Sequence, residues 1–401
     1  MNMERFQQSP TGRLVWIGQG ETAYWAFVPH PLPPALPFDA ELVRTLSEAD
    51  RALGELSGLA RTMANPRLFV RPFIHREAVL SSRIEGTQAD IVDLYAYEVG
   101  QLPLPGAKPS PPESDVREVL NYVRALEYGL ERLSTLPVSL RLLRELHERL
   151  MEGVRGGQAT PGEFRRSQNW IGRPGCTLNE ATYVPPPVPD MHEALDAFEK
   201  YLHVENELPP LVRLALIHYQ FEAIHPFLDG NGRIGRLLIS LLLVSWNLLP
   251  LPVLYLSAFF ERRRQDYYDL LLAVSERGTW REWVLFFLRG VAEQSRDAIT
   301  RAKRLQDLQS EWRERLTQAR ASALLLRLAD SLFESPMLTI PEAQRRLGVR
   351  HYNSARKSVE KLVAAGILQP VGDTSYGRVF QSQEILRIIG GGEIEAGGVA
   401  P

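Results

Sequence analysis

The sequence predicts a mainly α-helical protein with one short β-hairpin and a small helix-and-strand module near its C-terminus. Three observations carry that prediction. Apolar residues recur at the spacing of a helix face through most of the 401 residues. That period breaks between Asn169 and Pro187, where β-prone pieces flank a polar turn. Near Ala319 the pattern changes again, and short helical runs give way to strand-like ones.

Composition narrows the field. The chain is long enough for two or three domains and a substantial core. Lys and Arg number 46 against 48 Asp and Glu, a formal net charge of −2, so no bulk basic field points to nucleic acid or a membrane surface. Cys176 is the one cysteine, which excludes an intramolecular disulfide, and no Cys/His cluster has zinc spacing. Met1-Asn2-Met3-Glu4-Arg5 leads into polar sequence without the apolar core of a signal peptide. The expectation is a cytoplasmic protein with no membrane association. Leu237 to Phe260 is almost wholly apolar, but Pro250 and Pro252 break it. What remains is shorter than the ~20 residues a membrane span needs, and it reads as the buried central helix of a bundle.

Residues 1–40 read as an irregular arm, with Trp16, Tyr24, Trp25 and Phe27 as anchors among Gly and Pro. A helix over 75–85 runs into Gly86, and Thr87 is placed to cap the next, over 88–99. The Pro-rich stretch 102–112 is a loop. Val116, Val119, Leu120, Val123, Leu126, Leu130 and Leu133 then make one helical stripe. Leu140, Leu143, Leu146, His147 and Leu150 make a second, on which His147 reads as a core histidine. Asn169-Trp170-Ile171-Gly172 and Thr182-Tyr183-Val184 form the hairpin. Helices over 191–204 and 211–224 follow, and the second delivers the chain to His225. Beyond the central helix come helices over 262–277 and 280–293, then a charged connecting helix over 297–318. Residues 324–333, 340–347 and 353–365 read as three further helices, the second with Pro341 at its first position, and 367–370 and 378–380 as strands. That order resembles a winged helix-turn-helix. The Gly-rich end is expected to be disordered.

Chemistry concentrates in residues 225–236, H-P-F-L-D-G-N-G-R-I-G-R, directly before the apolar run. Glycines let a large ligand approach the backbone, and a helix opening after them points unpaired N–H groups and a positive dipole end at an anion. Arg233 and Arg236 add planar forks suited to phosphate oxygens. Asp229 would repel phosphate unless a hard cation such as Mg2+ lay between. His225 can move a proton near neutral pH. A phosphate cradle, a metal carboxylate and a base together point to phosphoryl or nucleotidyl transfer.

These twelve residues resemble the signature of the Fic family, H-x-F-x-D/E-G-N-G-R-x-x-R, and every defined position is met: His225, Phe227, Asp229, Gly230, Asn231, Gly232, Arg233 and Arg236. The resemblance covers about residues 75–295. It implies a mainly α Fic-fold helical bundle with a short β-hairpin flap, here followed by the C-terminal winged-helix domain. It also implies an enzyme that moves AMP from ATP, with Mg2+, onto a Ser, Thr or Tyr hydroxyl of a protein target, itself included. His225 would be the base and Asp229 the metal ligand; Gly230, Asn231, Gly232, Arg233 and Arg236 would bind phosphates, with Phe227 setting the loop. Tyr267 or Tyr268 would either line an adenine pocket or pack in the core, and core packing is the commoner role for such a tyrosine. Ile171, Gly172, Thr182, Tyr183 and Val184 would be the flap that pairs with an extended target segment. Ser81-Ser82-Arg83-Ile84-Glu85-Gly86 matches the family's S/T-x-x-x-E-G/N motif, with Ser81 and Glu85 four apart on one helix face. Glu85 would occupy Arg236 and so misalign the α-phosphate of ATP. Such a glutamate also serves AMP removal in related proteins, and homodimers are common among them.

The resulting domain scheme is 1–110 arm and inhibitory helix, 111–295 Fic core, 296–320 connecting helix, 321–390 winged helix-turn-helix and 391–401 tail. Two rival functions remain open: transfer of another phosphoryl group, and DNA or protein contact through the winged helix. Arg350, Asn353, Ser354, Arg356, Lys357 and Arg378 would supply that contact.

Overall fold

A computed structural model describes residues 1–20, 23–63, 67–100, 111–154, 160–205, 207–371 and 378–390. Most of the expected loop at 102–112 and the whole expected tail at 391–401 lie outside the described residues.

The first departure from expectation is at the N-terminus. β1 (Gly12–Ile17) and β2 (Tyr24–Pro29) pair antiparallel, with Trp16 opposite Trp25 and their rings 5.0 Å apart. Gly and Pro around this stretch hide two short runs of β-branched and aromatic residues, which suit a half-covered strand. The hydroxyls of Ser9 and Thr11 hold it, donating to the carbonyls of Ser275 (2.7 Å) and Val274 (2.8 Å).

α1 (Ala40–Thr62), α2 (Arg67–Ile84) and α3 (Ile91–Glu98) follow. α3 is capped by Asp90 and not by Thr87. The Asp90 carboxylate accepts from the N–H groups of Val92 and Asp93, and Asp93 accepts from the Asp90 N–H, a reciprocal capping box. Thr87 gives its hydroxyl hydrogen to the Ser82 carbonyl instead.

α4 (Glu113–Arg132) and α5 (Leu140–Leu150) carry the two predicted stripes, and Val119, Leu126, Leu143, Leu146 and Leu150 are fully buried. The expected hairpin is smaller than predicted: one bridge, Ile171 to Tyr183, with a 3-10 turn at Leu178–Glu180 between. α6 (Val188–His203), α7 (Pro210–Ile224) and α8 (Asn231–Ser245) come next. α7 and α8 are buried nearly all round, as two apolar central helices should be. Their approach needs Gly235, where an added Cβ would sit 2.2 Å from Glu222 Oε1. Helices α9 (Ser257–Arg262) and α10 (Arg264–Arg277) replace the one expected over 262–277. α11 (Trp280–Gln318) is one 39-residue helix where two were expected, because Gln294-Ser295-Arg296 contains no helix breaker.

The C-terminal elements are α12 (Ala323–Ser331), β3 (Met337–Thr339), α13 (Ile340–Leu347), α14 (Tyr352–Ala364), β4 (Gln369–Val371), β5 (Val379–Gln381) and α15 (Gln383–Gly390). β5 lies between β3 and β4, antiparallel to both. Leu328, Met337, Leu338, Ala355, Val359 and Leu362 form its core. β3 and α15 are additional to the expected elements; the three residues of β3 carry too little pattern to name a strand.

The chain divides into two compact units: Met1–Glu55, Arg124–Leu249 and Leu256–Ser295 make the first, and Leu56–Val123, Pro250–Tyr255 and Arg296–Pro401 the second. In the first, the Trp283 indole donates to the Ala215 carbonyl (2.9 Å) and the Tyr219 hydroxyl meets Ser275 Oγ (2.8 Å), which ties α11 and α10 to α7. Among the described residues no helix is long and apolar enough to cross a membrane.

Candidate active site

All of residues 225–236 belong to the first unit. α7 stops and α8 starts on either side of a six-residue loop whose two ends both adopt left-handed backbone. His225, the C-cap of α7, has φ 50° and ψ 61°; Gly230, the N-cap of α8, has φ 78°. For Gly230 this conformation is free of strain, while for His225 it is uncommon and is held by the surroundings. The His225 N–H closes on the Phe221 carbonyl (3.0 Å), and ring Nδ1 lies 3.2 Å from the Glu222 carbonyl. A hydrogen on Nδ1 leaves Nε2 as the acceptor nitrogen of the neutral ring.

The loop is held mainly by its carbonyls, which accept from one upstream stretch of chain. Arg165 Nε donates to the His225 carbonyl (3.0 Å), and the Arg165 N–H donates to that of Pro226 (2.9 Å). Asn169 Nδ2 donates to the Phe227 carbonyl (2.7 Å), and His147 Nε2 donates to that of Asp229 (3.0 Å). His147 Nδ1 accepts from the Gly162 N–H (3.0 Å), which fixes the tautomer. Burial pushes the pKa of His147 down to about 4, so the ring is neutral at pH 7. It stacks on the buried Phe227 ring at 3.8 Å. Phe227 packs as expected of a residue that sets the loop, and His147 is the satisfied core histidine its stripe implies.

Charge gathers at the start of α8. The N–H groups of Asn231, Gly232 and Arg233 have no acceptor within the helix, and the helix dipole points the same way. Arg233 and Arg236 are 4% and 2% exposed. Burial, and then the Arg236 charge, hold the His218 pKa down at about 3. The Asp229 carboxylate is half exposed; Oδ1 accepts from the Gly230 N–H (2.6 Å) and lies 3.6 Å from Arg233. Two expected phosphate donors are therefore engaged inside the loop. One is the Gly230 N–H. The other is the Asn231 amide, whose Oδ1 accepts from the Phe227 N–H and whose Nδ2 donates to the Phe227 carbonyl, both at 2.8 Å.

Other expected site residues fall elsewhere. Tyr267 is buried, with its hydroxyl 2.9 Å from His218 Nε2 and its ring stacked on Phe260 at 4.5 Å. Those contacts make it a core residue rather than the lining of an adenine pocket; Tyr268 is 39% exposed. In the flap, Ile171, Gly172 and Thr182 are exposed. Tyr183 and Val184 are buried, and the Tyr183 hydroxyl donates to the Ala223 carbonyl (2.8 Å). Those two side chains pack inward and do not face a target. Val184's carbonyl is also taken, by the Phe27 N–H of β2 (2.9 Å). Ser81 is buried in the last turn of α2 and Glu85 is exposed just past its end, both in the second unit.

Residues 43–131 match the family model for the Fic/DOC family N-terminal region, and residues 137–243 match the model for the Fic/DOC family itself. The chain belongs to the Fic/DOC family. The protein adenylyltransferase Fic of Drosophila grimshawi is 33% identical over 175 residues, 42% of this chain and 32% of that protein. Its namesake in Drosophila mojavensis is 33% identical over the same share of this chain and 31% of its own. The chain thus spans about a third of the length of the curated relatives it matches. A Fic family protein from Desulfovibrio desulfuricans G20 shares the fold at TM-score 0.55 and 20% identity, covering 88% of this chain and 98% of that one. A single-substitution form of Fic-1 from C. elegans does so at TM-score 0.51 and 22% identity, covering 65% of this chain and 74% of that one.

What sequence reasoning missed in this Fic chain is the set of side chains that hold the loop. Arg165 and Asn169 carry no local signal that sets them apart. Arg166, next in line, is an exposed arginine paired with Glu163.

Proposed function

We propose that the chain is a protein adenylyltransferase that moves AMP from ATP to a Ser, Thr or Tyr hydroxyl of a protein target, itself included, with Glu85 as an internal restraint. The observation that supports this most is the short loop between the two caps. It sets one imidazole a few residues from the N-terminus of a helix that carries two buried arginines.

In this reading ATP lies with its phosphates across the start of α8. The N–H groups of Asn231, Gly232 and Arg233 and the guanidinium groups of Arg233 and Arg236 take its oxygens. The target hydroxyl oxygen attacks the α-phosphorus while His225 Nε2 takes its proton. The bond from that phosphorus to the β-bridging oxygen breaks, and pyrophosphate leaves. Little covalent chemistry falls to the protein, so positioning and charge dominate. Among the described residues no group of three His, Cys, Asp or Glu side chains could hold a metal ion by itself. A single half-exposed carboxylate, Asp229, fits Mg2+ carried mainly by phosphate oxygens and water. Bound there, the ion would neutralise phosphate charge.

One guanidinium cannot pair bidentately with a carboxylate and a phosphate at once. If Glu85 occupies Arg236, the γ-phosphate loses its partner and the α-phosphate is poorly aimed. The same glutamate could order water for AMP removal, and a homodimer could reinforce the restraint. The flap contribution would come from backbone and the exposed Ile171, Gly172 and Thr182. We retain the scheme of arm and inhibitory helix, Fic core, connecting helix and C-terminal winged helix-turn-helix, in a cytoplasmic protein.

A second activity is favoured by one observation: Arg350, Asn353, Ser354, Arg356 and Lys357, on or just before α14, and Arg378, just before β5, are all exposed. Glu360 pairs with Arg356 and tempers that charge. A salt-dependent shift of a DNA fragment would support contact with DNA as an added function. The main reading is tested by mass spectrometry after incubation with Mg-ATP, wild type beside Glu85→Gly. A mass increase of one AMP is expected, on a larger fraction of the variant than of the wild type. Phosphate addition, or label arriving from γ- and not α-labelled ATP, would replace this reading with the phosphoryl rival.

A further inference from the structure

The geometry points to Arg165 as the positioning residue that keeps the His225 imidazole in register with the target-docking segment. One guanidinium donates from Nε to the His225 carbonyl (3.0 Å), from Nη1 to that of Ser167 (3.3 Å) and from Nη2 to that of Pro186. Its own N–H holds Pro226 (2.9 Å). Arg165 is fully buried, and these partners are all main-chain carbonyls. Pro186 lies three residues beyond Tyr183, the arm of the bridge to Ile171. A single rigid plane thus fixes two stretches of backbone about 40 positions apart (225 − 186 = 39).

His225 is the residue most in need of such a pin. It lies beyond the end of α7 in a left-handed conformation, so its peptide can rotate unless something outside the helix holds its carbonyl. Rotation of that peptide swings the imidazole. A lysine at 165 offers one point charge and cannot span both carbonyls. Fully buried, Arg165 acts through His225 and not on a ligand directly.

This inference rests on His225 as the base and on the flap as the docking segment. The test compares wild type, Arg165→Lys and Arg165→Met in the full chain. Transfer from α-labelled ATP, calorimetric affinity for Mg-ATP, melting temperature and the NMR signals of the His225 ring are read together. Arg165→Lys should keep its fold and its ATP affinity within about twofold, lose transfer by about a hundredfold, and shift or broaden the His225 ring signals. Unchanged His225 signals and an unchanged rate would overturn the assignment. So would a rate that falls only in step with melting temperature and ATP affinity, the mark of general loosening. A wild type that transfers no AMP would defeat the proposed function, and the ring signals would still decide for or against Arg165.

A separate observation, inside the second unit, carries a second inference; it rests on Glu85 as the restraint. Two polar relays run from the C-terminal elements into α2. Arg301 donates to the carbonyls of Ile388 and Ile389 (3.0 Å to the latter) at the end of α15, and pairs with Asp297 (2.7 Å). Asp297 lies 3.6 Å from Arg76 of α2. Arg71, also on α2, joins Glu98 of α3 (3.0 Å) to Glu334 beyond α12 (3.9 Å). We infer that α12–α15 hold α2, and with it Glu85, in the restraining position.

Asp297→Asn breaks the first relay without changing shape. Auto-modification should rise several-fold over wild type, reach no further in Asp297→Asn with Glu85→Gly than in Glu85→Gly alone, and be matched by faster hydrogen exchange in α2. A wild-type rate and wild-type exchange in Asp297→Asn would sink the idea. If Glu85→Gly fails to raise activity, the restraint itself is wrong, while exchange in α2 still tells whether the C-terminal elements hold that helix.

Discussion

His147 and Phe227 lie face to face, their ring centroids 3.8 Å apart and their planes 8° from parallel, and the same imidazole donates to the Asp229 carbonyl. Its Nδ1 also accepts from the Gly162 N–H, which only a neutral ring can do. Its pKa is lowered from 6.5 to about 4, so between those values the unfolded chain takes up a proton that the folded chain refuses. The contribution is intact above pH 6.5 and is lost as pH falls through that window, by about 1.4 kcal/mol per pH unit. His218, held near 3, adds a second proton of the same sign. Asp93 opposes them below about pH 6, because burial raises its carboxyl. His147→Gln should therefore flatten the fall in urea stability between pH 6.5 and 4.5 by about one proton. Equal slopes in variant and wild type would mean that the ring is not held neutral.

Asn231→Asp keeps the acceptor that Phe227 N–H uses and removes the donor that its carbonyl uses. A carboxylate would then face that carbonyl in a buried site. The expected cost is about 1–3 kcal/mol by denaturant unfolding at pH 7, with weaker Mg-ATP binding. A variant as stable as wild type would contradict the arrangement.

Gly235→Ala tests how tightly α7 and α8 close. Its Cβ would meet Glu222 Oε1 at 2.2 Å and His218 Cε1 at 3.3 Å. The carboxylate is the end of a movable side chain, so the loss should be moderate, about 1–3 kcal/mol. Adding Glu222→Ala should recover a good part of it in a double-mutant cycle. Strict additivity of the two changes would point to a clash elsewhere.

His225→Ala should lower AMP transfer by about 10²–10⁴-fold while melting temperature and Mg-ATP affinity stay near wild type. Substantial residual transfer would reassign the base.

Some of this was legible in the sequence and some was not, for definable reasons. The loop at 225–236 could be read because its residue types sit at fixed spacing before an apolar helix. α7, α8 and α13 followed from period and punctuation. Arg165 and Arg166 are chemically identical neighbours, and only tertiary packing makes one a buried clamp and leaves the other in solvent. Tyr267 and Tyr268 pose the same problem: His218 waits inside for one hydroxyl, and no local pattern reveals it. The β1–β2 pair was hidden by flanking Gly and Pro, which usually signal irregular chain. The continuity of α11 is hidden in the sequence by the rise in charge from Asp297 onward, although charge alone does not end a helix.

The carbonyls of 225–229 are gripped almost entirely by residues drawn from 147–169. A graft of the twelve-residue signature into a foreign helical scaffold would therefore carry the letters without the hands that hold them. Its peptide oxygens would be free to turn toward an incoming triphosphate and repel it. The smallest transplantable piece begins at α5.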